Sequence, residues 1–229
     1  MKKLMCVAAA ALLVVVTRPV AGQQIVSPYR FLDYDQMVGL FGGYVNLAKG
    51  EIDAGPHSGP VVGGRWAMRV SAPLSIGVEA TFMPTKRTVR DTVFGSDSLY
   101  NELGESDVHL LAALANFRLN LMGPRTWNGL HPYLLLGGGV VIDLAPVGEA
   151  EVALGPNERF DLGTRFAVQG GAGIEYYPSQ RFSAGVDVRN MVWKLKTPDA
   201  FLLSRRGAVL TGSRWEQNFL VSAGLSIHF

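Results

Sequence analysis

Long runs of alternating apolar and polar residues constrain this chain more than any other feature of its sequence. About eight segments carry apolar residues at every second position, and most run for about ten residues. Strands of ordinary globular proteins most often have about 5–6 residues, whereas tilted strands that cross a membrane need about 9–11. No stretch sustains the period of an amphipathic helix. The alternation therefore predicts an all-β fold built from unusually long strands.

The predicted strands cover residues 37–47, 62–71, 75–82, 111–121, 133–144, 165–176, 182–189 and 218–229. The first has apolar residues on both faces, so its phase stays undecided. Beyond Asn190 the apolar set of the seventh strand continues on the other parity, at Met191, Trp193 and Leu195. A β-bulge would shift the phase in this way, and we predict one near Asn190.

The connections between these strands alternate in length. Those at 72–74 and 178–180 are tight turns and the one at 122–131 is somewhat longer, while the other connections are long and polar, at 48–59, 88–107, 145–162 and 197–212. In a closed antiparallel transmembrane β-barrel of about eight strands, this order places short periplasmic turns at one rim and longer extracellular loops at the other.

The composition of the polar rows distinguishes a membrane barrel from a soluble one, which would turn its apolar face inward. The polar rows hold five basic and four acidic residues, whose charges nearly cancel and can pair inside a narrow barrel. The apolar rows then face lipid, where a sheet survives only if it is closed. The predicted lumen charge network consists of Arg65, Arg69, Glu79, Arg118, Asp143, Arg165, Glu175, Asp187 and Arg189.

The first 22 residues have the order of a secretory signal peptide. Lys2 and Lys3 precede an apolar run over residues 4–16, which is too short to span a bilayer, and the small residues Ala21 and Gly22 follow. We therefore predict a signal peptide at 1–22, a short periplasmic lead at 23–35 and a barrel domain at 36–229.

Removal of the signal peptide changes the cysteine and charge content of the chain. Cys6, the one cysteine, is lost, so we expect no disulfide in the exported protein. The remaining residues carry 18 basic and 19 acidic side chains, and this near-neutral balance predicts no binding to nucleic acid.

The last predicted strand carries a family resemblance. Its apolar residues alternate and end in an aromatic residue: Phe219, Val221, Ala223, Leu225, Ile227 and Phe229. This pattern resembles the C-terminal signature strand of bacterial outer-membrane β-barrels, which the barrel-assembly machinery reads. With eight strands, residues 36–229 resemble the small OmpA-transmembrane, OmpX and OmpW group. The resemblance implies an outer-membrane location, outer-membrane lipid around the barrel and the assembly machinery as a partner.

An eight-stranded barrel is just wide enough for its own side chains to fill. The predicted function is accordingly that of a structural or surface-interaction protein with a possible extracellular ligand at the long loops. One alternative is a narrow porin-like pore or a hydrophobic-solute channel of the OmpW kind, because Leu114, Leu135 and Val141 fall on the inner face.

The other alternative is an enzyme that modifies lipid A, for which His109 with Ser98 or Ser106 is a conceivable pair. The four histidines lie in separate segments without the spacing of metal ligands. We predict no catalytic residue, metal site or cofactor.

Overall fold

The computed structural model describes residues 27–91, 101–152, 154–155, 158–160, 162–202 and 212–229. The predicted signal peptide and the first part of the predicted lead lie outside these ranges. The described strands and helices are β1 (Tyr29–Phe31), β2 (Gln36–Asn46), β3 (Gly59–Arg69), β4 (Leu74–Asp91), β5 (Asn101–Asn120), β6 (Arg125–Trp127), β7 (Leu130–Asp143), α1 (Glu149–Val152), β8 (Thr164–Tyr176), β9 (Phe182–Lys196), α2 (Asp199–Leu202) and β10 (Ser213–His228). None of the described helices is long and apolar enough to cross a membrane.

Eight of the strands form a closed barrel. Taken in order, β2, β3, β4, β5, β7, β8, β9 and β10 each pair antiparallel with the next, and β10 pairs with β2 to complete the circle. At this seam Phe229 donates its backbone N–H to the Gln36 carbonyl (3.0 Å), and the Gln36 N–H donates to the Phe229 carbonyl (2.9 Å). The predicted fold class is confirmed.

The strands are strongly staggered around the barrel. A row of directly paired residues starts at Leu130 on β7 and passes through Tyr176, Ala184, Leu225, Leu40, Gly64, Ala80 and Ala113. It returns to β7 at Val140, ten residues beyond its start. A closed barrel requires a stagger of this kind, and the strands tilt as a result.

The connections at one rim of the barrel are short. Residues 70–73 and 177–181 form short turns at one rim, and 121–129 connect β5 to β7 at the same rim and contain β6. Asn128 and Gly129 have φ of 50° and 82° between β6 and β7, as a type I′ hairpin turn requires. At the opposite rim the described residues of the connections are 47–58, 144–152, 154–155, 158–160, 162–163, 197–202 and 212. We keep the names that the sequence predicted, periplasmic for the rim of short turns and extracellular for this one.

The β4–β5 hairpin rises above the extracellular rim. β3 pairs with β4 only as far as Phe82, and β7 pairs with β5 only from Leu110. Residues 83–91 and 101–109 continue as a two-stranded ribbon beyond those points. The prediction of a polar loop over 88–107 was therefore too long, because strand structure occupies its described ends.

Side chains alternate between the interior and a broad apolar belt on the outside. In β2, whose phase the sequence left open, Met37, Phe41 and Val45 are buried, whereas Leu40 and Tyr44 are exposed. Exposed apolar side chains cover the outer face of the other barrel strands as well, including Val62, Val78, Phe117, Leu136, Phe166, Val188, Val221 and Leu225. A belt of this kind requires hydrocarbon around it.

The β-bulge predicted near Asn190 is wrong. β9 keeps an unbroken register with β10 from Phe182 to Lys196, and with β8 as far as Trp193. Met191, Trp193 and Leu195 instead continue the inward-facing row, and each is at most 5% exposed. Above Asn190 the interior is apolar and the exposed outer positions are Lys194 and Lys196, so polarity inverts along the strand while the phase stays constant.

The apolar belt predicts that a charged substitution on the outer face destabilises the barrel more in the middle of the belt than at its edge. We expect Val168→Arg, on the outer face of β8, to lower the free energy of unfolding by about 2–4 kcal/mol, because a cation there meets hydrocarbon. Thr164→Arg lies on the same face of the same strand, at its extracellular end, and is expected to cost at most about 1 kcal/mol. Denaturant titration in lipid vesicles measures both, and equal costs would contradict the assigned belt.

Candidate functional site

The middle of the barrel interior holds a neutral group of charges centred on Asp187. Asp187 Oδ1 accepts from Arg189 Nε (2.7 Å) and from Ser222 Oγ (2.6 Å). Asp187 Oδ2 accepts from Arg189 Nη2 (3.0 Å), Arg65 Nη2 (3.2 Å) and Tyr133 OH (3.0 Å). Arg189 also pairs with Glu79 of β4, across the barrel. We call these residues, Arg65, Glu79, Tyr133, Asp187, Arg189 and Ser222, the Asp187 cluster.

A second neutral group lies nearer the periplasmic rim. Arg118 of β5 donates to both carboxylate oxygens of Glu175 on β8, over 2.7 and 2.6 Å. Its Nε donates to Asn120 Oδ1 over 3.0 Å. Arg118 is 5% and Glu175 2% exposed, so this bidentate ion pair is shielded from water. We call Arg118, Asn120 and Glu175 the Glu175 cluster.

Tyr133 joins the two clusters. Its hydroxyl belongs to the Asp187 cluster, and the Arg118 guanidinium carbon lies 3.7 Å from its ring centroid. Glycines on neighbouring strands leave the space that the large inward side chains occupy. A Cβ at Gly173 would lie 2.5 Å from Tyr133 Cζ, and one at Gly63 would overlap the Phe41 ring. These two glycines therefore serve packing inside a narrow barrel.

Six of the nine residues predicted for the lumen network lie in these two clusters, and three lie apart from them. Arg69 is at the periplasmic rim, where it donates to the Leu32 carbonyl over 3.0 Å. Asp143 is near the extracellular rim, where its Oδ1 accepts from the backbone N–H of Ala145 over 3.0 Å. Arg165 is also near that rim, opposite Val141 in the register of β7 and β8.

The lead segment closes the periplasmic end beneath the clusters. Tyr34 is 9% exposed, and its hydroxyl lies 2.9 Å from that of Tyr177. The Tyr177 hydroxyl donates to Glu175 Oε2 over 2.8 Å. Burial and the neighbouring carboxylate raise the pKa of Tyr177 well above its ordinary value, so the phenol stays protonated as a donor. The rings of His131 and His228 pack against Tyr177, with centroids 5.7 and 4.9 Å away.

An apolar layer fills the interior above the charges, and sequence analysis missed it. Its largest side chain is Trp193, 1% exposed. We call the whole layer the apolar plug: Val45, Leu47, Ile52, Ala54, Val61, Met83, Val108, Leu110, Ala112, Leu114, Val141, Phe160, Leu162, Ala167, Met191, Trp193, Leu195, Phe201 and Leu220. The signal was present in the inward parity of Met191, Trp193 and Leu195, which we had attributed to a bulge.

The extracellular connections fold over the plug and are held by the β4–β5 ribbon. Arg87 of β4 pairs with Glu151 of α1 over 2.6 Å, and both side chains are 7% exposed. Arg90 Nη1 donates to the Ile52 carbonyl over 2.7 Å, and its Nη2 lies 3.0 Å from Asp53 Oδ2. One gap between these connections and β4, lined by Ile52, Phe160 and Phe201, is only about 10 Å³, the space of one water molecule. A second gap, lined by Arg87, Asp143 and Glu151, is larger, about 290 Å³, and is half open to the outside.

The described residues do not assemble the catalytic pair that the sequence left open. Ser106 and His109 lie three positions apart on β5, so their side chains point to opposite faces. Ser106 is 4% exposed, while the His109 ring lies 5.9 Å from that of Phe82. Ser98, the other candidate, lies outside the described residues. Within the described ranges no three or more histidine, cysteine, aspartate or glutamate side chains are placed to hold a metal ion.

No protein-family model and no curated protein matches this chain. Solved structures do match its fold. The crystal structure of Neisserial surface protein A is 13% identical, with 85% of this chain and 97% of that chain covered and a TM-score of 0.52. The outer membrane protein OprG from Pseudomonas aeruginosa is 13% identical, with 86% and 98% covered and a TM-score of 0.51. At these identities the similarity shows the fold.

The comparison confirms the resemblance to small eight-stranded outer-membrane barrels at the level of the fold. The apolar belt requires a surrounding bilayer, and a closed barrel is the sheet structure that can occupy one. The barrel therefore lies in an outer membrane, as predicted.

Proposed function

We propose that the protein is a structural and surface-interaction barrel whose interior is closed to solutes. The observation that carries this proposal is the stacking of two sealed layers, the paired charges below and the apolar plug above. Asp187 and Arg189 are 3% and 1% exposed, and Leu110 and Val141 are both fully buried at 0%. Neither layer resembles the hydrated, polar interior of a conducting barrel.

The plug also bears on the proposal of a hydrophobic-solute channel. Leu114 and Val141, which suggested such a channel in the sequence, are 3% and 0% exposed and pack within the plug. Their apolar surface contacts other side chains of the same chain. We therefore favour a filled interior over a channel.

Planar-bilayer recording tests the closed interior. The refolded wild-type protein is expected to show no steady conductance, because ions would have to cross both the paired charges and the apolar plug. A general porin in the same bilayers is the positive control. Stable, ion-selective openings whose selectivity changed in Glu79→Gln would overturn the proposal and establish a pore.

The part of the protein outside the membrane supports a surface-interaction role. The β4–β5 ribbon and the connection that contains α1 rise above the barrel and expose the apolar side chains of Leu103 (41%), Val147 (56%) and Val152 (66%). Exposed apolar groups on a protruding surface are typical of contacts with other molecules. We propose that an extracellular ligand would bind there.

The outer face of β10 is proposed to be the signal that the barrel-assembly machinery reads. Phe219, Val221, Leu225, Ile227 and Phe229 are all 49–69% exposed on that face, and β10 forms the closing seam with β2. Phe229→Ala is expected to lower the amount of folded protein in the outer membrane while export continues. Leu40→Ala, which is 72% exposed but lies on β2, serves as the control. Wild-type amounts of assembled Phe229→Ala would contradict this role.

A further inference from the structure

Two short strands extend the barrel wall at its periplasmic edge and carry an aromatic row. The register pairs Tyr29 of β1 with Trp127 of β6, Trp127 with Leu130 of β7, and Leu130 with Tyr176 of β8. Directly paired residues lie on the same face of a sheet. Tyr29 and Trp127 are thus on the same face as Leu130 and Tyr176, and so continue the lipid-facing belt beyond the barrel.

The exposed face of this ribbon combines aromatic rings with a cation. Tyr29, Phe31 and Trp127 are 48%, 58% and 50% exposed. Arg125 pairs with Phe31 in the register, and its guanidinium carbon lies 4.7 Å from the Phe31 ring centroid. The opposite face of β6 is different, because Thr126 there is 1% exposed.

We infer that this face, made of Tyr29, Phe31, Arg125 and Trp127, binds phospholipid of the periplasmic leaflet, with the rings at the headgroup level and Arg125 on a lipid phosphate. Continuity with the belt argues for lipid, since Leu130 and Tyr176 in the same row already face it. Tyrosine and tryptophan concentrate at this depth because their rings are apolar at one end and polar at the other. A guanidinium matches phosphate geometry with two parallel hydrogen bonds.

Lipid binding at this face would also hold the periplasmic seal in place. β1 leads directly to Leu32, which is 4% exposed and donates its backbone N–H to the Pro124 carbonyl over 2.8 Å. Tyr34 follows two residues later and contacts Tyr177 beneath the Glu175 cluster. The ribbon therefore couples the bilayer surface to the segment that closes the barrel.

A fluorescent label at position 29 tests the depth of the face. In a Cys6→Ser background, the full chain carries no other cysteine, so Tyr29→Cys can be labelled alone. In phosphatidylcholine vesicles we expect this label to be quenched by lipids with a headgroup nitroxide and shielded from aqueous iodide. Labels at Arg30→Cys, in the same strand on the opposite face, and at Ser179→Cys, in an exposed turn, are expected to show the reverse. A label at position 29 that iodide reaches as readily as one at 179 would overturn the inference.

Charge substitution tests the role of Arg125. We expect vesicles that contain anionic phosphatidylglycerol to slow chymotrypsin cleavage at residues 29–31, relative to phosphatidylcholine alone. Arg125→Gln should reduce this slowing about fivefold, the effect expected for one basic residue near an anionic membrane surface. Arg30→Gln, on the opposite face of the same ribbon, is the matched control and should reduce the slowing clearly less, because Arg30 is not placed to bond a lipid phosphate. Equal effects of the two variants, or none from Arg125→Gln, would show that phosphate is not bound at this face.

Discussion

Arg118→Ala is expected to lower the free energy of unfolding by about 3–5 kcal/mol, because it leaves a buried carboxylate without its partner. Glu175 is 2% exposed and receives both Arg118 nitrogens at 2.6–2.7 Å. Among the described residues, the Tyr177 hydroxyl would be the hydrogen-bond donor that remains to this carboxylate. Denaturant titration of the protein refolded in lipid vesicles measures the loss.

Two controls separate the buried pair from ordinary truncation of an arginine. Arg69→Ala, at the periplasmic rim, should cost much less because its guanidinium bonds a carbonyl and leaves no unpaired acid. The double variant Arg118→Met with Glu175→Leu should be far more stable than Arg118→Ala, since it removes both charges. An Arg118→Ala protein as stable as the wild type would show that water reaches Glu175, and the closed interior would be refuted.

Trp193→Ala is expected to cost about 3–5 kcal/mol by opening a cavity in the apolar plug. Trp193 is 1% exposed and packs among the other plug residues inside the extracellular half of the barrel. Its indole Nε1 has no hydrogen-bond partner among the described residues, so the loss should come from packing. Unfolding midpoints in denaturant measure the effect.

Trp193→Phe is the matched variant, because it keeps an aromatic ring and gives up no hydrogen bond. We expect Trp193→Phe to retain most of the free energy of unfolding that Trp193→Ala loses. If both substitutions were silent, the upper interior would be loosely packed and the plug would not exist as a folded layer.

The period-two pattern predicted the inner and outer faces correctly wherever lipid surrounds the strand. There the outside must be apolar, so Val186 and Val188 face out while Asp187 and Arg189 face in. Beyond Asn190 the exposed outer residues are Lys194 and Lys196 while the inner residues are apolar, so a strand in unchanged phase presents the inverse pattern. A β-bulge and an exchange of polarity between the two faces both move the apolar residues to the other set of alternate positions. Only the pairing with neighbouring strands distinguishes the two.

The sequence could not predict which charged side chains pair inside the barrel, and the reason is geometric. Arg189 meets Glu79 across the barrel at a sequence separation of 110 residues, and the stagger of the strands determines which levels coincide. The same stagger places Asp143 and Arg165 nearer the extracellular rim than the two clusters, so they do not belong to either. The short strand β6 was missed because three residues show no period, although the Asn128-Gly129 pair after Trp127 is a strong hairpin signal.

The change from apolar to charged outer residues beyond Asn190 sets the position of the barrel along the bilayer normal. Sliding it outward would expose Val186 and Val188 to water, and sliding it inward would draw Lys194 into hydrocarbon. The span of apolar outer residues thus sets one preferred bilayer thickness, and a bilayer that departs from it must stretch or compress around the barrel at a small cost for each ångström. Because the apolar plug begins at the same level, the barrel has charged residues inside and apolar residues outside below that plane, and the reverse arrangement along β9 above it.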